Sequence, residues 1–129
     1  MAYEISNHSL KITLVAAADL LQYHFVKVDA NGRAALCAAA TDIPVGVVQN
    51  NPRAGEEAEV VVQGGSKVVA DAALSIGALI GTSADGQADA KTVGTDTTEY
   101  VVGRALTATS AAGQIVTALV DCAAPHRAS

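Results

Sequence analysis

Val28-Asp29-Ala30-Asn31-Gly32-Arg33-Ala34 decides the fold, because it returns as Thr82-Ser83-Ala84-Asp85-Gly86-Gln87-Ala88. Each copy carries an Asn-Gly or Asp-Gly pair between small apolar residues. Both residues of such a pair tolerate positive φ, which a tight hairpin turn demands. The echo continues in the same order. Pro44-Val45-Gly46-Val47 is answered by Val101-Val102-Gly103-Arg104. Ala54-Gly55 ahead of Glu59-Val60-Val61-Val62 is answered by Ala112-Gly113 ahead of Val116-Thr117-Ala118-Leu119. The sequence therefore predicts two copies of one β unit packed together. Two copies are too few for a solenoid, so a mainly β, pseudo-symmetric small barrel or sandwich is expected.

The flanking segments read as strands. In residues 9–15, Leu10, Ile12 and Leu14 fall on one side and Lys11 and Thr13 on the other, the period of a half-buried strand. Residues 23–29 read the same way around Phe25 and Val26. Further strands are expected over 44–48, 58–62, 66–69, 77–82, 100–106 and 114–121, with Gly64-Gly65 as a bulge or tight turn. Turns this frequent suit a sandwich or barrel. No long stretch keeps a helical apolar period. Residues 16–22 are expected to make one turn with Leu20 and Leu21 packed inward. Pro125 lies in a tail, 123–129, expected to be loose. The division that follows is 1–19 as an N-terminal arm or first strand, 20–122 as a β domain, and 123–129 as the tail.

A chain of 129 residues fits one domain. Hydrophobic residues make up 50% but aromatics only 3%, so the apolar content is mostly Ala and Val. β-Branched residues suit strands, while Ala buries little area. Part of the stability is therefore expected to come from neighbours. The formal net charge of −5 and the lack of a basic run argue against nucleic acid as a partner, and against an anionic membrane surface. No secretory leader or membrane span is expected. Cys37 and Cys122 read as two buried, reduced thiols, which fits assembly in a cytoplasm.

The search for chemistry yields little. His8, His24 and His126 have no second ligand at metal-binding spacing, so no metal or cofactor is expected. Gly64-Gly65-Ser66-Lys67 lacks the first glycine of a phosphate loop, and Val68-Val69 favour a strand where the helix would start. Asp29-Ala30-Asn31-Gly32 lacks the later ligands of a calcium loop. Glu56, Glu57 and Glu59 read as a solvated rim. No G-x-S-x-G elbow is present, and the flanks of Lys67 do not match a lipoyl or biotinyl site. Catalytic residues are expected to be absent. The scarcity of aromatic rings disfavours glycan binding.

In order, Val26-Lys27-Val28-Asp29-Ala30-Asn31-Gly32, Pro44-Val45-Gly46-Val47-Val48, Ala54-Gly55-Glu56, Val60-Val61-Val62-Gln63-Gly64, Gly77-Ala78-Leu79-Ile80, Val102-Gly103-Arg104-Ala105-Leu106 and Ala111-Ala112-Gly113 resemble the small capsid cement, or head decoration, proteins of tailed phages. The resemblance implies a tulip-like β domain that oligomerises, a homotrimer being favoured. It implies a virion location on the outer capsid surface, assembly in the host bacterial cytoplasm, and the major capsid protein as partner. The expanded shell would be braced against internal DNA pressure, with a modest contact per copy multiplied over the lattice. The interface is assigned to Leu10, Ile12 and Leu14 and to Asn50, Asn51, Pro52, Arg53 and Glu56. Residues 1–15 have two readings: an arm that adds a strand to a neighbour, or the first strand of their own domain. The competing functions are a tail or fibre accessory protein, a small glycan- or ligand-binding β module and, last, an enzyme.

Overall fold

Both repeated turns form, and they form alike. The computed structural model describes residues 9–129. In it, Asp29 N–H donates to Arg33 O and Gly32 N–H to Asp29 O, while Ser83 N–H donates to Gln87 O and Gly86 N–H to Ser83 O. The Asp29 carboxylate accepts from the N–H groups of Asn31 and Arg33. The Ser83 hydroxyl accepts from those of Asp85 and Gln87. Gly32 and Gly86 stand at φ 76° and 73°, where a side chain would be strained. Expectations for residues 1–8, His8 among them, lie outside the described residues.

The strands are β1 Leu10–Val15, β2 Phe25–Val28, β3 Ala34–Leu36, β4 Gly46–Val48, β5 Glu57–Val69, β6 Leu79–Thr82, β7 Ala88–Ala90, β8 Tyr100–Val101, β9 Gly103–Ala105, β10 Ile115–Asp121 and β11 His126–Arg127. The main sheet runs β3-β2-β4-β5-β10-β9-β6-β7, with β1 also paired to β5, and β8 and β11 form a separate ribbon. This order reads the same from both ends when β3, β2, β4 and β5 are exchanged for β7, β6, β9 and β10. The registers repeat too. Val26 pairs with Gly46 as Ile80 pairs with Gly103. Val28 pairs with Ala34 as Thr82 pairs with Ala88. Val15 pairs with Glu57 as Val69 pairs with Ile115. Even the parallel bridges Ala16 to Ala34 and Ala70 to Ala88 correspond. The chain is thus two like units. The N-terminal half of β5 closes the first and its C-terminal half opens the second, where it stands in the place of β1.

Four local expectations are corrected. Gly64-Gly65 makes no tight turn and does not interrupt β5, because β1 supports the strand up to Gln63 and β10 supports it from Gln63 onward; the register irregularity falls just before it, at Val62. Residues 16–22 form no helix: Leu20 is buried with its N–H on Pro52 O, but Leu21 is 63% exposed. Residues 100–106 split at Val102 into β8 and β9. The tail is not loose: β11 pairs with β8, and buried Ala128 exchanges backbone hydrogen bonds with Gly94 and Glu99.

Alternation along the strands gives the first unit two apolar faces. One, including Val26, Val48, Ala58 and Val60, closes over Leu20 as that unit's own core. The other, with Phe25, Cys37, Val47 and Val61, joins the core of the second unit around Leu74, Ile80 and Val116. Each fully buried Val or Phe contributes about 1.5–3 kcal/mol. Gly46 and Gly103 hold corresponding positions for one steric reason. A Cβ there would lie 2.4 Å from Val61 O and 2.4 Å from Leu119 O respectively.

Candidate functional site

The residues assigned to an interface fall into two neighbouring groups. On β1, Leu10 is exposed, while Ile12 and Leu14 are half-buried and pack on the cores. In the loop that precedes β5, Pro52 is buried, whereas Asn51, Arg53 and Glu56 are exposed. Asn50 is a brace: its amide donates to Glu57 O and accepts from Glu59 N–H. Asn51 caps Gln22 N–H, and the Glu56 carboxylate accepts from Arg53 N–H. Lys11 and Thr13 of β1 meet Asn50, Glu57 and Glu59 in one polar cleft, crossed by a Lys11–Glu59 ion pair of 3.2 Å. Both partners are half exposed, so the pair adds little stability. Backbone hydrogen bonds from Ala16 N–H to Glu56 O and from Gly55 N–H to Ala16 O bring the end of β1 beside the loop at one polar end of the first unit; of the assigned residues only Asn50 lines the cleft, and Leu10 pairs with Gln63 at the far end of the strand.

A second surface escaped the sequence reading. On the second unit, Leu79, Val101, Gly103, Arg104, Leu119, Ala124 and His126 line a mainly apolar groove of about 380 Å³. Ile115 and Leu119 are each 51% exposed on the outward side of β10. The signal was available: the outward alternation of β10 carries Ile115 and Leu119 between Thr117 and Asp121, whereas Glu57 of β5 stands at the position of Ile115. Asp121 borders this groove, and its Oδ1 is buried with no hydrogen-bond partner among the described residues.

Lys91 was also missed. Its side chain is fully buried and donates to Thr82 O, Asp89 and Glu99, which uses all three ammonium donors. The Glu99 contact pins segment 92–99 onto β6 and β7. No spacing rule reveals it, since the partners meet only in the fold.

Four titratable groups are shifted by their surroundings. Asp29 lies below the usual carboxylate range, chiefly through Arg33 N–H; burial opposes this, and Asn31 N–H and the Arg33 guanidinium add to the lowering. Burial pushes Asp42 up, but the N–H groups of Ala38 and Ala39 and the Lys27 ammonium outweigh it, so it too is lowered. Cys37 and Cys122 are free and buried; burial pushes each thiol up to about 12. His24 is buried with Nδ1 3.0 Å from Gln22 O. Lys67 sits 6.0 Å above the Tyr23 ring. Among the described residues no three His, Cys, Asp or Glu side chains gather into a metal site, and no helix is long and apolar enough to cross a membrane.

The phage cement protein family matches residues 5–122, nearly the whole chain. The chain belongs to the phage cement protein family. No curated protein matches it. Among solved structures it is similar to the head fiber gp8.5 N base in bacteriophage phi29, with a TM-score of 0.66 and 20% identity over 88% of this chain and 94% of that one. That likeness is one of fold. Membership in the cement family makes the chain a virion structural protein, and the mainly β fold expected from the sequence is the one observed.

Proposed function

We propose that this cement-family protein binds the outer surface of the major capsid protein lattice and stabilises the expanded phage head. The match to the cement family over residues 5–122 carries the reading. Its chemistry agrees. A chain with a net charge of −5 is unsuited to packaged DNA but suited to the outside of a shell. The capsid-facing surface is assigned to the polar end of the first unit. Asn51, Arg53 and Glu56 are exposed there on a loop whose backbone is held by Asn50 and Pro52, and Leu10, Ile12 and Leu14 lie on the adjacent strand. Self-association, a homotrimer being favoured, belongs to the same reading, because each lattice contact then counts several times. Assembly takes place in the host bacterial cytoplasm.

Co-sedimentation tests this directly. Purified protein is mixed with expanded shells assembled without it, and bound copies are counted per shell. Saturation at a fixed multiple of the shell's symmetry sites is expected. Absence of binding to well-formed expanded shells overturns the reading. A second reading is a tail or fibre accessory protein, and the fold likeness to a head fiber base favours the fibre form of it; hundreds of copies per virion mark a head protein and a handful a tail protein.

A further inference from the structure

The two units are packed head to tail. On the first unit, Phe25, Val47 and Val61 form an outward face with Leu36 and Cys37 at its margin, and the second unit covers it. The second hairpin covers the Phe25, Leu36 and Cys37 side of it. Gly86 O accepts from Phe25 N–H at 2.7 Å. Gly86 lies so close that a Cβ there would be 2.5 Å from Leu36 Cδ1. Thr82, at the start of that hairpin, touches the Cys37 thiol and is 1% exposed. Such a face-to-hairpin contact is heterologous, so duplication leaves one hairpin and one face without their counterparts.

Both remainders are visible. The first hairpin, residues 29–33, is open: Gly32 is exposed where Gly86 is buried, and Val28 is 47% exposed where Thr82 is buried. On the second unit, Leu79, Arg104 and Leu119 occupy the register positions of Phe25, Val47 and Val61. They line the groove described above. Leu119 is 51% exposed where Val61 is 1% exposed. Leu79 O accepts from Lys91 N–H as Phe25 O accepts from Cys37 N–H. Leu79 N–H therefore points as Phe25 N–H does, and among the described residues no hairpin meets it.

We propose that a second copy of this chain docks its 29–33 hairpin on the Leu79, Arg104 and Leu119 face, repeating between molecules the contact that joins the two units within one. The inference names the surface for the self-association included in the proposed function, and it stands or falls separately from capsid binding. Gly32 O of one copy meets Leu79 N–H of the next, and Val28 is covered as Thr82 is. Because the contact is heterologous, each copy uses two different surfaces.

That asymmetry supplies the test. Val28→Lys spoils only the hairpin and Leu119→Lys only the face; both positions are exposed, so folding is checked by circular dichroism and expected to be unchanged. Sedimentation equilibrium of the full chain is expected to show wild-type oligomers and monomeric behaviour of each variant alone, with association weakened at least about tenfold. An equimolar mixture of the two variants is expected to give a one-to-one pair through the remaining good hairpin and good face. A monomeric wild type, oligomers indifferent to either variant, or a mixture that stays monomeric each overturns the proposal. Pelleting the same variants with shells separates the two ideas: a monomeric wild type that still decorates shells, and loses them on Leu119→Lys, makes the capsid protein the occupant of this face.

Discussion

Gly46 and Gly103 show at one residue what the duplication does twice. The Val-Gly motif is legible in the sequence, but its reason is not, because the carbonyls of Val61 and Leu119 come from distant strands. Gly46→Ala and Gly103→Ala are each expected to cost about 1–3 kcal/mol, the range for overpacking. Gly65→Ala, with open space at its Cβ, should stay within about 0.5 kcal/mol. Urea unfolding of the three variants checks this, and equal losses at all three sites would refute the steric account. The Asn-Gly and Asp-Gly turns were readable because their chemistry is local; the Lys91 cluster was not, because Glu99 reaches it only through tertiary structure.

With thiols pushed up to about 12, Cys37 and Cys122 should resist alkylation at neutral pH in the folded protein and react on unfolding. Mass spectrometry after iodoacetamide treatment reads this directly. Asp29 and Asp42 are lowered in the folded state. The unfolded chain therefore binds more protons between the folded values and the ordinary carboxylate range, and stability rises with pH through that window. The melting temperature should hold above roughly pH 4–5 and fall below it. Asp42→Asn should lower it near neutrality and flatten the acid decline; an unchanged acid slope would contradict the role given to Asp42.

At the scale of elements, β5 binds the molecule together. The sequence suggested two short strands separated at Gly64-Gly65, since glycine usually weakens a strand. Neighbours on either side of Gln63 carry the ladder across. The C-terminal ribbon was illegible for a similar reason: β8 and β11 are two residues each, too short for a pattern. Their segment depends on Lys91. Removing one partner of a buried pair costs about 3–5 kcal/mol; Glu99 is partly exposed and Asp89 remains, so Glu99→Ala should fall at the low end or below it. Hydrogen exchange should quicken first in residues 92–99 and in β11. Global loss without that local signature would show that the pair does not act through this segment.

For the whole molecule, the duplicated order of motifs was legible and the packing of the two units was not. Repeats announce their own internal contacts, since turn glycines and strand alternation are written in each copy. They do not announce which face of one copy meets which edge of the other. That asymmetry buries Val47 and Val61 and leaves Arg104 and Leu119 in the open, so one unit is committed to its sister and the other presents a surface. The loop 50–57 and β1 were nominated from sequence, and the fold brings them side by side at the polar end of the first unit.

The central claim, decoration of the outer head surface, is tested most directly by a cryo-electron microscopy difference map between expanded shells with and without the bound protein. The account predicts added density outside the capsid protein layer, repeated at symmetry-related positions, into which the duplicated β domain fits with its 50–57 loop toward the shell. A map with no ordered density on the outer surface at saturating protein, or density confined to the tail vertex, would contradict it.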